Sequence, residues 1–544
     1  MRWSLNTMAI GFAVLAASAL VSADDKPLRA VIDDQVRAVW EKEKLTPARP
    51  ATDAEFLRRV YLDLCGSVPT YDETVSFLAD ATADKRATLI DRLLDDPRFA
   101  QHQADIWDMI LFGRNPPGFD TDKREGIQRW LREQFAKNTP YDALALAILR
   151  AEGNTLDDGP PMFYVQYRNQ PEDVNEAISQ IFLGVQLQCA RCHDHPYETW
   201  KQTDFFGMAA FLARLEVVTV GKANNLTKYA IGEKNSGDIL FTGPAKDQSP
   251  GKKGEPLKPK FLLGAALDEP PLPKDFKEVK FEANKPPPPP KFSRKDQLAA
   301  WITQPDNPYF ARAIANRVWA QFLGRGLVHP VDNMSPANQP SHPDLLAALA
   351  TALRDHRFDL RWYIRELVNS QTYQLSSIGG SGEQNPQLYI AARTRPLSAE
   401  ELVEAWRITT GYAAVETTSP PKGVATGRFR PLESGYMLRF FGQPNSGTGD
   451  FQGGLQEHLY LNNGPLRNLL TTAKGSLLAT VSDTSLPIDA RVERLYLALL
   501  HRPPRDVERQ RMSEYVSVAS AKSDERWAEA MWVLMTCSEF RFNH

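Results

Sequence analysis

The chain has 544 residues, 42% of them hydrophobic, with 64 Lys and Arg against 67 Asp and Glu and a formal net charge of −3. That length exceeds what one hydrophobic core organises and implies at least two domains. Charge this close to neutral, with both signs mixed, offers no basic footprint, so no nucleic-acid partner is expected.

Residues 1–23 read as a secretory signal peptide. Arg2 supplies a positive start, Met8 to Val21 is an almost unbroken apolar run, and Val21-Ser22-Ala23 is a small-residue cleavage pattern before Asp24. The run is short for a membrane span and no later segment reaches that length. The mature protein is therefore expected to be exported, periplasmic or associated with the cell envelope, with no integral membrane span after signal removal. Such a compartment permits both disulfides and covalent haem.

Overall the pattern is mainly α: two helical domains, 24–213 and 293–544, with a small β-rich and proline-rich insert, 214–292, between them. In the first, Thr52 with Glu55 is a capping box before Phe56, Leu57, Val60, Tyr61 and Leu64. Thr70 with Glu73 repeats it before Val75, Phe77 and Leu78. Leu89, Ile90, Leu93 and Leu94 fill another helical face that Pro97 closes. Trp107, Ile110 and Leu111 continue the pattern, and Trp130, Leu131 and Phe135 carry it to Pro140. Val174, Ile178, Ile181, Phe182 and Val185 form one stripe on a helix that is expected to run into the next segment.

That segment, QCARCHDHPYETW from Gln188 to Trp200, holds Cys189, Cys192, His193 and His195 within seven residues. Two thiols at i and i+3 followed by an imidazole form the C-x-x-C-H pattern of c-type haem attachment. Each thiol can make a thioether to one vinyl group of the same porphyrin, and His193 then lies under the iron as proximal ligand. Three other readings of the thiols stand beside it: a local disulfide or redox pair, a zinc or other divalent-metal site with His193, His195 and Asp194, and inert packing. Asp194 and His195 are not required by plain attachment; they suit orienting hydrogen bonds, proton transfer or a second metal. Met208 is the nearest thioether for a sixth ligand, with His102 and Met162 further candidates. Trp200, Phe205, Phe206, Met208, Phe211 and Leu212 offer an apolar wall, which a haem or an ordinary core would use. Cys65 and Cys537 are the two remaining cysteines, and sequence alone does not bring them within bonding distance.

From 214 to 292 the composition changes. Leu215 to Val220, Asp238 to Thr242 and Lys260 to Leu263 read as short strands, and Pro286 to Pro290 as an extended spacer. Helices return at Ser293, which with Asp296 caps a helix bearing Leu298, Trp301 and Ile302. Ser341 with Asp344, and Ser398 with Glu401, are read as further caps. Arg317, His329, Asp332 and Asn333 form a polar group that suits either a site or loop hydrogen bonding. The glycine-rich stretch Gly442 to Gly454 has no Walker or Rossmann spacing, so phosphate binding is unsupported. The pattern closes with a helical pair, Val492 to Leu500 and Ala528 to Met535.

With these residues in view the chain resembles secreted planctomycete proteins that join two domains of unknown function, numbered 1549 and 1553, the first also called a planctomycete cytochrome-like domain. For the first domain the resemblance rests on Phe56 to Thr70, Phe182 to Trp200 and Asp204 to Ala213. For the second it rests on Asn307 to Ala350, Leu367 to Ser377, Arg395 to Trp406, Leu459 to Asn463 and Cys537 to His544. It implies a cytochrome-like role at Cys189, Cys192, His193, Asp194, His195 and Pro196. It implies haem c as cofactor and a redox or envelope partner of unknown identity. A haem-free metal-binding or hydrolytic envelope protein, or a disulfide-stabilised binding scaffold, is the alternative. Two departures are visible. Cys65 stands where relatives commonly have threonine, and the separate upstream module with a second CxxCH that many relatives carry is missing, which weakens multi-haem electron transfer.

Overall fold

The computed structural model describes residues 26–544 apart from 114–124, 168, 197, 241–253, 255, 382–384, 412–458, 460–469, 471 and 519–522. The signal-peptide segment, the Gly442 to Gly454 stretch and most of Leu459 to Asn463 lie outside the described residues. The fold is mainly α, as the patterning implies. Helices α1 (Leu28–Glu43), α2 (Asp53–Cys65), α3 (Tyr71–Ala79), α4 (Lys85–Leu94), α5 (Pro97–Phe112), α6 (Glu125–Ala136), α7 (Tyr141–Arg150), α8 (Met162–Val165), α9 (Pro171–Ile178) and α10 (Gln202–Ala209) precede a hairpin. After the insert come α11 (Arg294–Ile302), α12 (Phe310–Leu323), α13 (Pro343–Asp355), α14 (Leu360–Val368), α15 (Ala399–Thr410), α16 (Leu477–Ser482), α17 (Ile488–Leu499), α18 (Asp506–Ser517), α19 (Ser523–Thr536) and α20 (Ser538–Arg541).

Local chemistry sets several of these boundaries. Full capping boxes start α2 at Thr52 and Glu55, α3 at Thr70 and Glu73, and α15 at Ser398 and Glu401. Ser293 Oγ accepts from Asp296 N at the start of α11. Pro97 opens α5 rather than closing α4, because its fixed φ suits a first helical position. Ser341 does not cap α13. His342 stands at that position without a side-chain cap, and its Nδ1 lies 3.0 Å from Ser341 Oγ.

The insert departs from expectation in detail. Strand β1 spans Leu215–Ala223 and pairs antiparallel with β2, Leu226–Glu233, which was not foreseen. Asn224 and Asn225 form the two-residue turn, with φ of 48° and 64°; asparagine tolerates this left-handed region, which such hairpins need. Of the expected strand at 238–242, residues 241 and 242 lie outside the described residues and Leu240 forms a single bridge to Pro256; the expected strand at 260–263 reduces to the bridge Lys260 to Ala266.

Apolar packing cuts across the expected division at 213 and 293. One continuous core takes its buried side chains from Leu28 through Ile390, so α1 to α10 and α11 to α14 share it. A second core is built by Leu397 to Phe540, with Leu62 and Val68 contributed from the N-terminal region. In α12 the side chains of Phe310, Ile314, Val318 and Trp319 are all buried; each such side chain contributes about 1.5–3 kcal/mol by leaving water.

The two cores meet at a buried charge junction. Asp63 of α2 accepts from Arg395 Nη2 at 2.9 Å, Asn543 Nδ2 at 2.8 Å and Tyr373 Oη at 2.8 Å. Arg395 also grips both oxygens of Glu401, each at 2.7 Å. Burial pushes the Glu401 carboxyl up, but Arg395 more than reverses this and holds it below its ordinary value. Arg59 Nη1 donates to Tyr373 O and Leu375 O, both at 2.8 Å. Arg58 donates to His501 Nδ1 at 3.0 Å and to Phe540 O. The short strand β3 (Arg395–Pro396) lies antiparallel to β4 (Phe542–Asn543) beside this junction. Cys65 and Cys537 are both free: Cys65 is buried near Leu93 O, and Cys537 packs at the edge of the second core.

Candidate functional site: the CxxCH turn and its stalk

The helix expected to enter the motif does not reach it. Helix α9 ends at Ile178 and runs into one π turn, Ser179–Leu183, which closes at Gly184 with φ 67°. The stripe Val174, Ile178, Ile181, Phe182 and Val185 is buried as expected, although Val185 lies beyond the helix. Buried Leu187 then leads into a 3-10 turn, Gln188–Arg191.

That turn shapes the site. Cys189 lies in this turn and Cys192 is the residue that ends it. Both thiols are exposed, while Ala190 between them is fully buried. Arg191, the other intervening residue, reaches back to α9 and donates to Asp173 at 2.8 Å and Glu176 at 3.3 Å. Partial burial raises the Glu176 carboxyl against the pull of Arg191.

The two histidines differ in what they can offer. His193 is exposed, and its Nδ1 lies 2.7 Å from Asp194 O. A backbone carbonyl only accepts, so Nδ1 carries the proton and Nε2 keeps a free lone pair, the arrangement that prepares an imidazole as a metal ligand. His195 Nδ1 instead accepts from Glu198 N at 3.0 Å, which places the neutral ring's proton on Nε2 and leaves neither nitrogen ready to ligate. Asp194 Oδ1 accepts from Gln202 N at 2.9 Å, at the start of α10, and Gln202 Nε2 donates to Arg191 O at 3.1 Å. Asp194 therefore ties the turn to α10. Among the described residues no three His, Cys, Asp or Glu side chains are grouped so as to hold a metal ion.

Met208 lies in α10 and is fully buried in the first core. Trp200, Phe205, Phe211 and Leu212 are buried there too, and Phe206 is half-buried against it. The expected wall thus serves the core, because the apolar side of α10 faces inward. Met162 is buried in α8, and His102 packs against Gly66, where an added Cβ would lie 2.3 Å from its Nδ1.

The polar group of the C-terminal region meets the motif's stalk. Arg317 Nη2 donates to Gln180 O at 3.1 Å and Ile181 O at 3.5 Å, both within the π turn. Met334 N donates to Gly184 O at 2.8 Å, and Gln186 Nε2 donates to Asp332 Oδ1 at 3.0 Å. His329 O accepts from Asn338 Nδ2 at 3.3 Å and Asn333 O accepts from the same amide at 2.8 Å, so those two residues organise the adjacent loop. The sequence had singled out Arg317 and Asp332 but carried no sign that they act on residues 180–186, far away in the chain.

A family model described as PSCyt2, a protein of unknown function (DUF1549), matches residues 31–217. A second, PSD1, also a protein of unknown function (DUF1553), matches residues 294–428. No curated protein and no solved structure matches the chain. The CxxCH turn and its stalk lie in the first match, and the residues that grip the stalk lie in the second. The chain thus joins a region matching DUF1549 to one matching DUF1553, in that order, and the two matches together cover more than half of its length.

Proposed function

We propose that this protein is an exported redox protein that carries haem c on Cys189 and Cys192, with His193 as the proximal ligand. The observation that carries the reading is two exposed thiols, one in a 3-10 turn and one at its end, followed directly by an imidazole whose Nδ1 proton is committed to Asp194 O. The description PSCyt2, which points to a cytochrome-like family, agrees with it. So does the segment 1–23, read as a signal peptide, since export gives access to haem attachment. No helix among the described residues is long and apolar enough to cross a membrane.

The chain's own residues have defined tasks. Cys189 and Cys192 would hold the group through two thioethers, each S–H adding across a vinyl C=C so that one C–S and one C–H bond form with no leaving group. His193 would present Nε2 to the iron, its tautomer fixed by Asp194 O. Arg191, Asp194 and Gln202 hold the turn against α9 and α10. When bound, haem supplies one-electron exchange at its iron.

The test is a pyridine haemochrome spectrum of the protein exported from a host with c-type maturation, beside a Cys189→Ser/Cys192→Ser control. Haem that stays with the denatured polypeptide, and is lost in the control, is the expected result. A mature, correctly exported protein without attached haem sinks the reading; stoichiometric zinc in that sample would move the assignment to a metal site.

A further inference from the structure

Residues 270–292 form no helix or strand. Loops longer than about 12–15 residues without secondary structure are uncommon in compact domains and usually have a task. Both ends of this one are fixed: Glu269 pairs with Arg214 and Arg294, and Ser293 Oγ donates to Glu233 at 2.5 Å. Between them no side chain enters either core. The segment instead crosses the β1–β2 hairpin. Asn235 N and Nδ2 donate to Glu278 Oε1 at 3.2 and 3.1 Å, and Ser236 N and Oγ donate to Oε2 at 2.9 and 2.6 Å. Successive N–H groups of this kind make a concavity for an anion. Slight burial pushes the Glu278 carboxyl up, but these hydrogen bonds outweigh it and hold the group at about 2. A Cβ on Gly232 would lie 2.3 Å from Phe281 Cε2, so the ring rests on bare backbone. Asn284 N donates to Thr219 O at 2.8 Å. Register pairs Glu216 with Gly232 and Val218 with Ala230, and alternation puts Val218, Ala230 and Gly232 on one face. The opposite face, with Leu215, Val217 and Ile231, packs on the first core. Val218 and Ala230 are only 7% and 4% exposed, yet they belong to neither core.

We propose that residues 270–292 are a strap that opens as one unit, with Glu278 as its latch, and that opening uncovers the hairpin face formed by Val218, Ala230 and Gly232. A permanent cover would sink side chains into the core beside it. This one turns Lys274, Lys277, Val279 and Lys280 outward and is held down between its ends by one carboxylate, one ring and few backbone bonds. Segments with so few buried apolar contacts open locally at a much lower cost than the whole fold. Pro286 to Pro290 keep the returning arm extended and stiff, so the strap lifts without collapsing onto itself. Its fixed ends keep it tethered and able to close again. The device hides an apolar surface until the latch lets go. It does not depend on the haem reading.

The test places a thiol under the strap. The full chain carries Ala230→Cys, with Cys189→Ser/Cys192→Ser to remove the two exposed thiols, and is alkylated with iodoacetamide under native conditions. Peptide mass spectrometry follows the introduced thiol beside Cys65, which is buried in the first core and serves as the reference for global unfolding. The introduced thiol is expected to react at least tenfold faster than Cys65. Adding Glu278→Ala is expected to speed it a further fivefold or more while Cys65 changes less than twofold; Glu278→Gln, which keeps one acceptor oxygen, should fall between. If the two thiols react together, the strap opens only when the whole fold does, and the proposal is overturned. A rate at the introduced thiol that ignores Glu278→Ala also overturns it. Should Ala230→Cys not fold, hydrogen exchange on the unsubstituted protein serves. The amides of Asn235, Ser236 and Asn284 are expected to exchange at one common rate, faster than the interior amides of α12, and to lose protection together in Glu278→Ala. Independent rates at the three, or protection equal to that of α12, overturn the proposal.

Discussion

The CxxCH turn and the Asp63–Arg395–Glu401 junction are both dense in reactive side chains, yet they stand in opposite environments. At the turn the thiols and His193 face solvent, and few contacts depend on them. At the junction, Asp63 and Glu401 are buried, and each charge is answered by another. Exposure leaves ligand atoms available and costs little stability; burial fixes geometry and makes every partner indispensable. The molecule thus keeps its chemistry and its architecture at different places.

The largest expected effect falls on the junction. Arg395→Ala leaves Asp63 and Glu401 buried without their shared cation, and removing one partner of such a set costs about 3–5 kcal/mol. Chemical denaturation followed by far-UV circular dichroism checks this; a loss below about 1 kcal/mol would mean that water reaches the site and that the contrast with the turn is false.

The next effect is pH dependence. His501 is fully buried beside Arg58. Burial first, and then the Arg58 charge, hold its imidazole well below the ordinary value of 6.5. A histidine with a depressed folded-state pKa contributes stability that is complete above the unfolded value and is lost as pH falls beneath it. Stability is therefore expected to decline as pH drops below about 6.5, and His501→Gln should flatten that decline. Equal slopes in the two proteins would remove His501 from the account.

The smallest stability effect belongs to the turn. Cys189→Ser/Cys192→Ser changes two exposed side chains and should alter unfolding free energy by no more than about 0.5 kcal/mol, even though it is expected to abolish haem attachment. A cost of several kcal/mol in the haem-free protein would show that the turn is architectural after all.

Local signals carried much of this fold. Thr52 with Glu55, Thr70 with Glu73 and Ser398 with Glu401 fix helix starts through contacts three residues apart, and CxxCH is complete within five residues. Consecutive asparagines at 224 and 225 carried a hairpin signal too, and with it the strand Leu226–Glu233 could have been found. Asp63, Arg58 and Arg59 read in sequence as the polar side of an amphipathic helix. What buries them is the arrival of segments near 373, 395, 501 and 543, and no periodicity encodes that. The grip of Arg317 on residues 180 and 181 was illegible for the same reason: it joins positions more than 130 residues apart.

The junction also bears on how the protein is made. Synthesis runs from the N-terminus, so α2 exists long before Phe540 and Asn543 do. Through that interval Arg58 lacks one of its acceptors and Asp63 one of its donors. Complete settling of a helix formed among the first residues waits on the segment 537–544, and a ribosome that stops short of it releases a chain whose α2 cannot finish burying its charges.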